Sequence, residues 1–165
     1  MRLRGRDSII AKECISTLPP SDNDKVQVNW SAVRDLKRGR KRPVIANTAA
    51  YNRWKSRSAR AFTIGKFSPY KSDCMAFIFT VFPDRRRRDA SNREKALFDA
   101  LEASGCVFTD DKLVKYHANM RLIIPEKKFI VVYVTEYDET LLNSNIVEQL
   151  AKRVVRLAKS EQAPI

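Results

Sequence analysis

Residues 75–82 read Met-Ala-Phe-Ile-Phe-Thr-Val-Phe, with one hydroxyl and no charge. Aromatic and branched side chains dominate, and even and odd positions are equally apolar. As a strand, such a run is buried on both faces, which predicts a place in the centre of a sheet. Pro83 ends it, since proline cannot continue a central strand.

Past Pro83 the period becomes helical. Residues 92–104 put Leu97, Ala100, Leu101 and Ser104 on a narrow inner stripe, and Gly105 stands where a left-handed C-terminal residue is wanted. Ser91-x-x-Glu94 is a capping-box pattern, with Ser91 as the cap and Glu94 reaching back to it. Residues 106–109, Cys-Val-Phe-Thr, predict a short strand beside 75–82. Residues 120–124 and 128–135 predict two strands joined by the turn Pro125-Glu126-Lys127. A last helix over 145–159 has Ile146, Leu150, Val154 and Leu157 as its apolar stripe and Lys152, Arg153, Arg156 and Lys159 as its basic side.

Upstream the pattern is weaker. Residues 14–18 predict a short strand, ended by the turn Pro19-Pro20-Ser21 and followed by polar loop. Residues 35–42, Asp-Leu-Lys-Arg-Gly-Arg-Lys-Arg, predict a mobile basic loop. Asn47-Thr48 predicts the cap of a helix reaching about Ala61, with Tyr51 and Trp54 on one face and Arg53, Lys55, Arg57 and Arg60 around the rest. Together these elements predict an α+β fold, a small mixed β-sheet covered by helices.

Charge says more about partners than about fold. Lys and Arg number 32 against 19 Asp and Glu, giving +13 over 165 residues, with an isoelectric point near 10.0. Such an excess points to a polyanion, DNA or RNA before an anionic membrane. No apolar run approaches the roughly 20 residues of a membrane span. The basic start, 1–6, is followed by no apolar signal region, so an intracellular, cytoplasmic protein is expected. Cys14, Cys74 and Cys106 are scattered singly, which fits reduced thiols better than a disulfide framework or a zinc site. His117 is the sole histidine, which weakens every triad and excludes a His-rich metal site. Scattered glycines exclude a phosphate-cradling loop.

The segment 84–111 carries the strongest chemical signal. Asp89 stands between a buried strand and a helix start, and Asp110-Asp111 follows that helix. Carboxylates gathered at a sheet edge are what a hard divalent cation needs. In a phosphodiester cutter such a cation clamps the phosphate and activates water. Lys95 stands one turn along the helix from Asn92, placed to stabilise charge on a phosphate. Arg85, Arg86, Arg87 and Arg88 would grip neighbouring phosphates. The spacing alone favours a plain nucleic-acid binder, in which Asp89 and Asp110-Asp111 are ordinary turn residues.

The stretch Pro83-Asp-Arg-Arg-Arg-Arg-Asp-Ala-Ser-Asn-Arg-Glu-Lys-Ala-Leu-Phe-Asp-Ala-Leu-Glu-Ala-Ser-Gly105, with Thr109-Asp110-Asp111 after it, resembles the RusA family of Holliday-junction resolvases. That family carries a Pro-Asp-Arg-Arg-Arg-Arg-Asp-x-Asp-Asn-x-x-Lys core, then Phe-Asp-Ala-Leu, a glycine and an Asp-Asp pair. A looser likeness runs upstream through Leu18-Pro19-Pro20-Ser21, Arg38-Gly39-Arg40 and Tyr51, and downstream through Tyr133-Val134-Thr135-Glu136. The resemblance implies a RusA-like domain over 11–139, with 140–165 as an added basic helical extension. It implies a homodimer that nicks four-way DNA junctions with Mg²⁺, for which Mn²⁺ is a possible substitute, in a bacterium or its phage.

Carried over by position, Asp89 and Asp111 match metal-binding residues and Lys95 the functional lysine, while Asp110 and Asn92 match flanking motif positions. Phosphate contacts are expected from Arg85, Arg86, Arg87, Arg88, Arg38, Arg40, Lys41, Arg53 and Arg57. Ser91 departs from the pattern, because the family has a third essential aspartate there. Serine caps a helix as well as aspartate does, so folding tolerates the change, but the cation site lacks one negative charge. Three accounts stay open: a working nuclease with a rearranged site, a natural junction binder that does not cut, or a chain inactivated on purpose. An RNA-binding protein, supported by charge alone, is a further alternative.

Overall fold

The computed structural model describes residues 11–20, 26–35, 41–63, 68–86, 93–142 and 145–160. Within them lie six strands: β1 (Lys12–Ser16), β2 (Val26–Asp35), β3 (Lys41–Asn47), β4 (Cys74–Phe82), β5 (Val114–Ile123) and β6 (Phe129–Glu136). The helices are α1 (Ala49–Thr63), α2 (Glu94–Ser104), the short α3 (Glu139–Leu142) and α4 (Ile146–Lys159), with a 3₁₀ turn at Asp111–Leu113. The expected α+β architecture is present, with a mixed main sheet.

That sheet has the order β1-β6-β4-β5. β4 is buried along its whole length and pairs antiparallel with β6 on one edge and parallel with β5 on the other. The two strands around the 125–127 turn are therefore not paired with each other. The turn is real, with Glu126 at φ 63° and Lys127 N donating to Ile124 O at 3.2 Å. It steps across the end of β4, where Ile124 N donates to Phe82 O at 2.9 Å. A strand apolar on both faces needs a partner on both edges, and β5 and β6 each supply one. β5 also starts earlier than its apolar content suggests, because its first half alternates polar with apolar residues.

The parallel β4–β5 pair requires a crossover, and α2 is its helix. Ala96, Leu97, Ala100 and Leu101 of α2 are buried against Ala76 and Ile78 of β4, together with Tyr51, Trp54 and Phe62 of α1. Gly105 closes α2 in the left-handed region, φ 63°, and its N–H donates to Glu102 O. α1 begins as expected, with Thr48 Oγ1 accepting from Tyr51 N at 3.2 Å. On the opposite face, Met75, Phe77, Phe79 and Val81 of β4 pack with Ile146, Leu150, Val154 and Ala158 of α4. The sheet thus lies between two helical layers. Phe77, Phe79 and Phe82 are buried within this one chain, so they offer no surface to a second copy.

Two further expectations are corrected. Residues 106–109 form no strand beside β4; Phe108 makes one isolated bridge to Tyr70, because β5 and β6 already occupy both edges of β4. Asp35, Lys41 and Arg42, at the two ends of the expected 35–42 loop, belong to a two-stranded antiparallel ribbon, and 36–40 lie outside the described residues. Asp35 ends β2 opposite Lys41 of β3. The register shifts between Asn29–Val44 and Arg34–Arg42, which leaves Pro43 where the ladder is interrupted and its missing N–H costs nothing. Arg38 and Arg40 lie outside the described residues.

Candidate active site

β5 is an edge strand whose alternate residues face opposite layers. Tyr116, Ala118, Met120 and Leu122 pack with the α4 layer. His117, Asn119 and Arg121 pair with Ala76, Ile78 and Thr80 of β4, which places them on the α1–α2 side. These three polar side chains hold two separated pieces of chain.

The first piece follows β4. Arg121 Nη2 donates to Arg86 O at 2.6 Å and to Asp84 O at 3.4 Å, with its guanidinium 5.3 Å from the centre of the Phe82 ring. Asp84 Oδ1 accepts from Arg86 N at 3.0 Å, an Asx turn that starts the reversal after Pro83. Arg85 and Arg86 are exposed.

The second piece is the first turn of α2. Asn119 Nδ2 donates to Glu94 Oε1 at 2.8 Å, and His117 Nε2 lies 3.1 Å from Glu94 Oε2. Thr80, fully buried, donates its hydroxyl to Asn119 Oδ1 at 3.3 Å. The Phe98 ring meets the His117 ring edge to face at 5.6 Å. Both Glu94 oxygens thus engage side chains of β5; the capping box expected between Ser91 and Glu94 involves a residue outside the described ones. Arg93 precedes the helix without a side-chain cap and donates through Nη1 to Pro19 O. His117, the sole histidine, is a half-exposed partner of Glu94 on the edge strand β5.

Between the two pieces run Arg87, Arg88, Asp89, Ala90, Ser91 and Asn92, which lie outside the described residues. Asp111 and Lys95 are described, and both are exposed. Asp111 lies three residues before Val114, which pairs with Cys74. Glu94 is tied to His117 and Asn119, opposite Ala76 and Ile78. Asp111 therefore sits at the N-terminal end of the β4–β5 pair, whereas the first turn of α2 docks near the middle of β5.

The neighbouring acids have separate duties. Asp110 accepts from Lys112 N at 2.9 Å and lies 3.7 Å from Lys112 Nζ, so it shapes the 3₁₀ turn. Asp99 accepts from Tyr51 Oη at 2.5 Å and so ties α2 to α1. The Asp111 side chain makes no hydrogen bond or ion pair among the described residues, and its hard oxygens suit a divalent cation. No three His, Cys, Asp or Glu side chains among the described residues come together as a cation site; Asp89 and position 91 fall outside that set.

α1 carries Arg53, Lys55, Arg57 and Arg60 and no acid. Arg53, Arg57 and Arg60 line a shallow groove with Asn52 and Ser56, spaced so that one helical face presents the cations. Lys41 begins β3. No helix among the described residues is long and apolar enough to cross a membrane.

Residue-type reasoning missed Asn119, Arg121 and the true partner of Glu94. The alternation Tyr116-His-Ala-Asn-Met-Arg-Leu122 was the available signal, since a period of two with one polar face marks an edge strand.

The family model for endodeoxyribonuclease RusA matches residues 25–126. The matched region runs from the β2–β3 ribbon through the turn after β5, and so contains both pieces held by β5, the chain between them, α2 and Asp111. No curated protein gives a significant match to the chain.

Proposed function

The chain belongs to the RusA endodeoxyribonuclease family, and from that membership we propose that it binds four-way DNA junctions as a homodimer and resolves them by paired, metal-dependent nicking in DNA recombination or repair. The observation that carries this reading is the family match itself, spanning Asp89, Lys95 and Asp111 in one ordered motif. Asp89 and Asp111 would hold Mg²⁺, with Mn²⁺ as substitute and Asp110 close by. When bound, the cation supplies Lewis-acid stabilisation and a more acidic water. Lys95, exposed on the first turn of α2, neutralises charge that builds on the phosphate. Arg85, Arg86, Arg87, Arg88 and Asn92 bind the backbone next to the scissile bond. Arg53 and Arg57 on α1, and Arg38, Arg40 and Lys41 on the ribbon, bind phosphates farther along an arm.

Two strands of a junction must be cut symmetrically, which a two-fold dimer achieves with matched sites. β5 is the edge of the main sheet; its outer side pairs with no strand among the described residues and is where a second copy would meet it. The protein would act in the cytoplasm of a bacterium, encoded by the host or a phage.

Ser91 supports a second reading, a junction-binding member of the family that does not cut. Two carboxylates hold a hard cation less firmly than three, whereas the phosphate contacts lie mostly away from position 91. Incubating a labelled synthetic four-way junction with the protein, with Mg²⁺ and separately with Mn²⁺, distinguishes the readings. Symmetric nicks support resolution. Tight binding with no nicks in either cation supports the non-cutting member.

A further inference from the structure

We propose that Arg121 is a positioning residue for DNA binding: from the edge strand it holds the backbone of the turn after β4, so that the exposed side chains of Arg85 and Arg86 meet a DNA backbone from a pre-set place. This inference rests on the DNA-binding reading above. Arg121 stands past Asp111, outside the ordered motif from Pro83 to Asp111.

Three observations carry it. Arg121 Nη2 donates to both carbonyls that flank Arg85, to Asp84 O at 3.4 Å and to Arg86 O at 2.6 Å. The bond from Arg86 N to Asp84 Oδ1 at 3.0 Å closes the turn on itself, whereas Arg121 ties the turn to the sheet. Arg121 is in turn anchored. Its backbone is in register with Thr80 of β4, and its guanidinium lies 5.3 Å from the centre of the Phe82 ring, which is fully buried. A guanidinium is a rigid planar set of donors that is attracted to an aromatic face. The charges held in this way are open to a ligand. Arg85 and Arg86 are exposed, and Arg86 Nε lies 3.8 Å from Asp84 Oδ2 with its side chain 82% exposed. An ion pair so open to water contributes little, which leaves the Arg86 guanidinium available to a phosphate.

Side chains on a loop that must be ordered by DNA lose affinity to that ordering, and a loop already fixed in place avoids the loss, an effect of about twofold to tenfold. The test is fluorescence anisotropy of the full chain on a labelled synthetic four-way junction, without divalent cation, from about 50 to 200 mM salt, alongside thermal melting. Arg121→Ala is expected to weaken binding about threefold to tenfold at each salt concentration. The slope of log affinity against log salt should stay the same, since no phosphate contact is removed. Arg85→Ala with Arg86→Ala should weaken binding and lower that slope by about two contacts. Added to that pair, Arg121→Ala should cost less than about twofold, because the side chains it positions are gone.

A loss of equal size in both backgrounds, or a slope lowered by about one contact in Arg121→Ala, would make Arg121 a phosphate ligand itself and overturn the proposal. Lower melting with unchanged affinity would overturn it in favour of a purely structural contact. Should Arg121→Ala fail to fold, Arg121→Gln, which removes the guanidinium and keeps most of the stem, carries the same cycle. Full affinity in the Arg85→Ala and Arg86→Ala pair would overturn it together with the phosphate roles of those two residues. A wild-type protein that binds no junction would overturn the DNA-binding reading and this inference together, whereas full affinity in Arg121→Ala beside a weakened pair overturns this inference alone.

Discussion

Arg153 Nε donates to Glu13 Oε2 at 2.6 Å across 140 residues of sequence. The two side chains are 22% and 25% exposed, and the guanidinium lies 5.7 Å from the centre of the Tyr133 ring. This contact fastens α4 to β1 and β6, over the apolar layer that Leu150 and Val154 form on β4. α4 thus covers a face of the sheet that would otherwise be exposed.

Loss of that contact should be visible in stability. Arg153→Ala is expected to lower the unfolding free energy by about 1.5–3 kcal/mol, the range for a hydrogen bond to a charged group. Leu150→Ala, which removes a side chain 3% exposed, should cost about 2–5 kcal/mol. Urea unfolding checks both. A double-mutant cycle of Glu13→Ala with Arg153→Ala should show coupling of at least about 0.5 kcal/mol, since the residues touch. Strict additivity would mean the pair contributes nothing beyond its parts.

Position 91 should control cutting more than binding. Ser91→Asp is expected to raise the Mg²⁺-dependent nicking rate by at least about tenfold, which needs only about 1.4 kcal/mol of transition-state stabilisation. Junction affinity should change little. Asp89→Asn or Asp111→Asn in that background should abolish the gain. A wild-type protein that cuts briskly and is indifferent to Ser91→Asp would show that another group completes the site.

Binding should respond to salt as a count of phosphates. With about six to ten contacts, affinity is expected to fall about 10³–10⁵-fold between 50 and 200 mM salt. Arg53→Ala and Arg57→Ala should each weaken binding across sequences and reduce the slope by about one contact. Fluorescence anisotropy with a junction and with a linear duplex of equal length checks this. Four-way junctions should bind more tightly at every salt concentration.

Alkali should destabilise the fold. Burial pushes the Cys14 thiol up to about 12 and the Cys74 thiol to about 11, from an ordinary 9.0. Burial likewise pushes Tyr70 to about 12 and raises Tyr133. These groups bind their protons more firmly in the folded chain, so their contribution is complete below the unfolded values and lost as pH rises toward the folded ones. Lys12 acts in the opposite sense, since burial lowers its amine and stability gained from it grows as pH rises toward 10.5. Four groups oppose one, so the melting temperature is expected to be level up to about pH 8.5 and to fall above about pH 9. Cys14→Ala should make the fall shallower. A melting temperature that rose through pH 10 would contradict this.

Several features were legible because their causes are local. The uniform apolarity of β4 forces burial on both faces wherever the strand is placed. Gly105 ends α2 because a left-handed residue without a Cβ is free of strain. Thr48 caps α1 through a hydrogen bond to Tyr51 N, three residues on. The period of α4 chose Ile146, Leu150 and Val154 without reference to what they would cover. The ordered motif from Pro83 to Asp111 likewise pointed to the family, because its residue types and spacings are contained in one stretch of chain.

Other features depended on which distant groups meet. Nothing in residues 120–135 announces that β4 separates the two strands around the turn, since that order follows from β4 needing a partner along each edge. Asp35, Lys41 and Arg42 look like the ends of a basic loop until the pairing of β2 with β3 supplies their partners. Glu94 carries a capping pattern with Ser91, yet nothing in that pattern announces that Asn119 and His117 of β5 also reach its carboxylate. The sequence by itself determined β4, α1, α2 and α4 and the chemical endowment of the segment 84–111. The tertiary structure decided the partners, because a side chain's strongest available donor or acceptor is a matter of position in space, and β5 brings that donor to Glu94 from 25 residues away.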